Sequence, residues 1–102
     1  MSFIEIAKTE EIPAGQMKGI KKDDKNILIA NMAGKFYAIG GKCTHAGGDL
    51  AKGKLDGSIV TCPRHGSKFD VTTGKAAGGP AKQNEPSYAV KLQGNSIMVD
   101  IP

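Results

Sequence analysis

Cys43-Thr44-His45 and Cys62-Pro63-Arg64-His65 contain every cysteine and histidine of this 102-residue chain. Sixteen residues, Ala46 to Thr61, separate the two pairs. Thiolates and imidazoles are metal ligands, and two of each, divided between two glycine-flanked segments, suit one metal centre held between two loops. A disulfide between the cysteines is the competing chemistry. It is disfavoured in a reducing compartment and leaves the matched histidines without a role.

The elements that must position these pairs read as short strands. Phe3 to Ala7 alternates partly, Pro13-Ala14-Gly15 is a turn, and Met17 to Lys21 is a weaker strand. Asn26 to Ala30 and Lys35 to Ile39 flank Met32-Ala33-Gly34 as a hairpin, and Gly40-Gly41 ends the second strand just before Cys43. Ser58 to Thr61 runs into Cys62, Lys68 to Val71 follows the second pair, and Gly78-Gly79-Pro80 marks a rigid bend. Tyr88 to Leu92 and Ser96 to Asp100 alternate around Gln93-Gly94-Asn95 as a second hairpin. No stretch sustains a helical period. Closely spaced strands predict an all-β, antiparallel sandwich or barrel with both metal pairs at loop tips. Met17, Met32 and Met98 lie in or beside these runs and read as packing residues rather than ligands.

A chain of this length is expected to form a single domain, 1–102. With 39% hydrophobic and 24% charged residues it has the composition of a globular protein. No apolar run approaches the ~18 residues of a membrane span. The first residues lack a basic start followed by an apolar stretch, so a cytoplasmic location is expected. The net charge of +4 is concentrated: residues 42–82 hold seven cations against three acids, and the rest of the chain is balanced. That excess surrounds the metal pairs and could steer an acidic docking face of a partner toward them; a solvated surface is the alternative. Nucleic acid is not the expected partner, because Phe69 is the only aromatic in that segment and no stacking stripe accompanies the charge.

A structural zinc site of Cys₂His₂ type usually keeps its cysteines together and its histidines together. Here each loop supplies one of each, which suits a two-iron cluster better. Cys43-Thr44-His45 through Cys62-Pro63-Arg64-His65-Gly66-Ser67 resembles the Rieske [2Fe–2S] motif in both ligand pairs, their spacing and the residues after them. Gly79-Pro80 sits where that family has a proline-containing loop over the cluster. The resemblance implies a Rieske-like antiparallel β-sandwich with a small inserted cluster-binding subdomain, about 41–82. It implies that Cys43 and Cys62 bind the inner iron of one [2Fe–2S] cluster and that His45 and His65 bind the outer iron near the surface. Ser67 would donate to a cluster sulfide, and Pro80 would belong to the covering loop. Two neutral imidazoles in place of thiolates raise the potential above that of all-cysteine ferredoxins.

Respiratory members of the family tie the two ligand loops with a disulfide, whose positions are Gly48 and Arg64 here, so no bridge can form. They also carry a tyrosine whose hydroxyl bonds a ligand sulfur, and this chain has Phe69 there. Fewer hydrogen bonds to sulfur lower the potential, which places this protein toward the bottom of the Rieske range of about −150 to +300 mV.

The resemblance implies an electron-transfer protein rather than an enzyme. A ring-hydroxylating oxygenase needs a second iron held by further histidines, and both histidines are already committed. The role expected is a monomeric one-electron carrier between a flavin-dependent reductase and a terminal oxygenase or other redox enzyme. The small Rieske subunit of a nitrite-reductase-like complex, a regulatory cluster and a structural zinc module are the alternatives. Many ferredoxins of this kind are acidic, and the basic segment 42–82 departs from that.

Overall fold

The computed structural model describes residues 3–22, 25–43, 48–64, 66–79 and 83–101. Among these residues, eleven strands run in chain order as β1 Phe3–Lys8, β2 Met17–Lys22, β3 Lys25–Met32, β4 Lys35–Gly40, β5 Lys54–Asp56, β6 Ile59–Thr61, β7 Lys68–Asp70, β8 Ala76–Gly78, β9 Ser87–Tyr88, β10 Val90–Gln93 and β11 Ser96–Asp100. They form three antiparallel sheets with orders β1-β11-β10, β2-β3-β4-β9 and β5-β6-β7-β8. The all-β expectation is met. The helical turns among the described residues are two three-residue 3-10 turns, Thr9–Glu11 and Leu50–Lys52, and none of the described helices is long and apolar enough to cross a membrane.

The layering follows from β3. Its run Ile27-Leu28-Ile29-Ala30 is apolar without alternation, as in a strand covered on both faces. Successive side chains of a strand point to opposite sides. Ile27 and Ile29 accordingly join Ala38, Ile97 and Val99 in a core against sheet β1-β11-β10. Leu28 and Ala30 join Ile39, Leu50, Val60, Phe69 and Val71 in a second core. Sheet β2-β3-β4-β9 is thus the middle layer. The third sheet lies between β4 and β9 in sequence, so it is an insertion in the sandwich.

The β3–β4 turn needs two left-handed residues, supplied by Ala33 (φ 57°) and Gly34 (φ 93°). Buried Asn31 fixes that end of the sheet: its Nδ2 donates to the Ile12 carbonyl at 2.7 Å and its Oδ1 accepts from the Gly34 N–H at 2.8 Å.

Candidate metal centre

Each cysteine stands at the base of a loop closed by antiparallel hydrogen bonds. After β4, the Leu50 N–H donates to the Gly41 carbonyl at 2.9 Å and the Cys43 N–H to the Gly48 carbonyl at 2.8 Å. Lys42 and Asp49 form the bridge between these bonds. The Asp49 carboxylate accepts from the Ala51 N–H at 3.1 Å and caps the turn Leu50–Lys52. Capping steers the chain so that Leu50 enters the second core.

The second loop is the tip of the β6–β7 hairpin. The ladder continues one step beyond the Thr61–Lys68 pair, with the Cys62 N–H donating to the Ser67 carbonyl at 2.7 Å. Pro63 starts the reversal and Gly66, at φ 77°, completes it. Proline presets its own φ, and glycine takes the left-handed conformation without a side-chain penalty.

Neither cysteine is in a disulfide, both are buried, and both belong to the core cluster of Leu28, Leu50, Val60 and Phe69. Gly48 brings the two loop bases into contact. A Cβ at position 48 would lie 2.9 Å from Cys62 Sγ and 3.2 Å from Arg64 Cγ. The absent side chain at 48 therefore leaves space beside the Cys62 sulfur. Positions 48 and 64, where the Rieske resemblance located the respiratory disulfide, are indeed adjacent, and neither is a cysteine. The third segment closes on the second loop: a Cβ at Gly79 would fall 2.5 Å from the Gly66 carbonyl oxygen and 2.7 Å from Ser67 Cα.

Of the site residues expected from sequence, the structure brings together Cys43, Cys62 and Ser67, the last fully buried. His45, His65 and Pro80 lie outside the described residues. Phe69 is fully buried in the cluster that holds both cysteines, so the ring occupies the interior beneath the loops. The sequence marked Gly79 as part of a bend and, by resemblance, of a covering loop; its approach to Gly66 and Ser67 depends on the β7–β8 pairing. Lys42 and Arg64 are exposed. Two buried thiols at the convergence of three loop segments, with a histidine two residues after one and three after the other, fit the donor set of a mixed thiolate–imidazole [2Fe–2S] centre.

A family model for the Rieske [2Fe-2S] domain matches residues 2–91. The ferredoxin component of the naphthalene 1,2-dioxygenase system of Pseudomonas aeruginosa is 34% identical over 99 residues, covering 97% of this chain and 95% of its own. Among solved structures, the ferredoxin of carbazole 1,9a-dioxygenase from Nocardioides aromaticivorans IC177 superposes with a TM-score of 0.91 at 26% identity, covering 97% of each chain. A chain in a complex of reduced oxygenase and oxidized ferredoxin in carbazole 1,9a-dioxygenase superposes with a TM-score of 0.90 at 24% identity, over 95% of this chain and 91% of that one. With the motif, the layered fold and a full-length relative in agreement, this chain belongs to the Rieske [2Fe–2S] domain family.

Proposed function

We propose that this protein receives one electron from a flavin-dependent reductase and passes it to a terminal oxygenase. Its cofactor is a Rieske-type [2Fe–2S] cluster, and its role is electron transfer rather than catalysis. The observation that carries the assignment is the joint burial of Cys43 and Cys62 beneath two hydrogen-bonded loops, in a chain whose full-length relatives are ferredoxin components of dioxygenase systems. When bound, such a cluster supplies a single reversible oxidation step without making a bond in any substrate.

In this reading Cys43 and Cys62 hold the inner iron and His45 and His65 the outer one. Ser67, at the base of the second loop, would donate to a sulfide, and Pro80, which follows Gly79 in sequence, would belong to the covering loop. The cluster-binding subdomain spans about 41–82 within one domain of 1–102. The protein's own contribution is to fix the thiolates on a rigid ladder and to exclude water beneath them with Leu50, Val60 and Phe69. A rigid, dry support keeps reorganisation on electron transfer small. The reading includes a monomeric protein in the cytoplasm, whose reducing conditions suit two cysteines outside any disulfide.

The test is the EPR spectrum of dithionite-reduced protein purified without air, with iron and zinc analysis. Two irons per chain and a rhombic signal of lower average g than all-cysteine [2Fe–2S] ferredoxins give are expected. One zinc and no signal would overturn the reading. Reconstitution with a reductase and an oxygenase then tests the partners, and sedimentation equilibrium the monomer.

A further inference from the structure

The register of the third sheet places its charges in rows. Lys54 pairs with Thr61, and Thr61 pairs with Lys68. Directly opposed residues of antiparallel strands share a face, so these three form one row on the side opposite Leu55, Val60 and Phe69. The next row on the same face, two residues along, is Asp56, Ile59 and Asp70. The sheet is therefore polarised, with lysines at the end beside Cys62 and carboxylates at the other.

Two lysines on alternate strands stand two strand spacings apart, roughly 10 Å. That is about one Debye length at 0.1 M salt, so their fields reinforce each other. Neither Lys54, Lys68 nor neighbouring Lys52 is in an ion pair among the described residues, where the salt bridges are Lys8–Glu5 and Lys18–Glu11. Two of the three acids of segment 42–82 are engaged locally: Asp49 caps its turn, and Asp70 accepts from the N–H and hydroxyl of Thr72 at 2.9 and 2.6 Å. Lys52, Lys54 and Lys68 rim a cleft of about 390 Å³ whose remaining walls are Gly53, Thr61, Cys62 and Pro63. No acid lines it.

We propose that this cleft is a docking site for an acidic patch of a protein redox partner. Two of the partner's carboxylates span Lys54 and Lys68, and its surface rests on Pro63. The Asp56–Asp70 row sets the orientation, because a partner rotated end for end would bring its carboxylates against carboxylates. This rests on the electron-carrier reading, since the cleft wall includes one of the two cysteines that would hold the cluster. It gives the basic segment a specific function: the partner is acidic where it meets this face.

The probe is a fluorescein-labelled hexaglutamate peptide, with binding to the iron-loaded protein followed by anisotropy at low salt. Lys54→Glu combined with Lys68→Glu should weaken binding at least tenfold, and the Lys54→Gln, Lys68→Gln pair should weaken it by less. Lys35→Glu with Lys91→Glu changes net charge equally on the other two sheets and should leave affinity within about twofold. Equal weakening by both glutamate pairs would reduce the effect to net charge and overturn the proposal, as would failure of the peptide to bind the unmodified protein. The EPR spectrum of each variant keeps the two readings separate. A normal Rieske signal without site-specific binding removes the docking face alone, and loss of that signal from the unmodified protein removes the carrier reading.

Discussion

Gly79→Ala tests whether the third loop segment presses on the second ligand loop. Gly79 has φ 74°, so any side chain there meets the left-handed penalty of about 1 kcal/mol. Its Cβ would also lie 2.5 Å from the Gly66 carbonyl oxygen and 2.7 Å from Ser67 Cα. Ordinary non-bonded contacts begin near 3.5 Å, so the segments must part by roughly 1 Å. Both obstructing atoms are backbone, and no rotamer change relieves them. Overpacking of this kind costs about 1–3 kcal/mol, for a total of about 2–4 kcal/mol. Gly94 and Gly57 are the controls. They have φ 61° and 59°, with nothing within 4 Å of the built Cβ, so they incur the conformational penalty alone.

Each kcal/mol lowers the melting temperature of a domain this size by about 4–8 °C. Anaerobic thermal melts of the iron-loaded protein should therefore show Gly94→Ala and Gly57→Ala down by about 4–8 °C and Gly79→Ala by about two to four times as much. Gly79→Ala should also move the EPR g values, because the displaced atoms belong to the Cys62–Ser67 loop, whereas the controls should not. Equal losses in all three variants would refute the close approach of Gly79 to that loop.

Phe69→Tyr should raise the reduction potential in voltammetry if the hydroxyl reaches a cysteine sulfur; an unchanged potential with lower stability would show a buried hydroxyl without that partner. Asn31→Ala should cost about 2–4 kcal/mol in urea unfolding, because the Ile12 carbonyl and the Gly34 N–H both lose their partner. Glu11 is held below its ordinary value of 4.5, first by its hydrogen bond with Lys18 and then by the Lys8 backbone N–H. A lowered folded pKa gives stabilisation that is complete above about pH 4.5 and lost as pH falls through the folded value. The melting difference between wild type and Glu11→Gln should accordingly close on acidification; a difference that persisted at pH 2 would contradict the assignment. Removing iron should expose the Cys43 and Cys62 amides to hydrogen exchange while the Asn31 and Thr9 amides, bonded to the Gln16 and Asn95 carbonyls, stay protected. Uniform loss would mean that the insertion and the sandwich unfold as one unit.

The two Cys/His pairs stand out in the sequence because the chain has no other cysteine or histidine with which to confuse them. The longer strands were legible from alternation, as in β11, or from an unbroken apolar run, as in β3. What escaped had too little sequence to carry a period. β5 is Lys54-Leu55-Asp56 and β8 is Ala76-Ala77-Gly78, each a strand only because it pairs with a neighbour. The turns Thr9–Glu11 and Leu50–Lys52 are a single 3-10 turn each, too short for any helical pattern. The unbroken run of β3 announces double burial but not which sheets provide it. Likewise the excess of cations in 42–82 was countable in sequence, but its division into a lysine row and a carboxylate row required the register of β5, β6 and β7.

That register links stability to electron transfer. Val60 and Phe69, the inward row of the same strands, hold the third sheet onto Leu28 and Ile39 of the middle layer. Cys62 continues β6 directly and Cys43 is the third residue after β4. The thiols are therefore fixed by the apolar packing that makes the insertion fold, with no separate scaffold between core and ligand. A one-residue slip of β6 against β7 would turn Val60 out of the core, exchange Lys68's row for Phe69's, and move Cys62 off the ladder. Selection for a buried core thus also holds the two thiols and the charged face in register. In a domain this small the core between the middle layer and the third sheet serves both purposes, folding that sheet and carrying both cysteines.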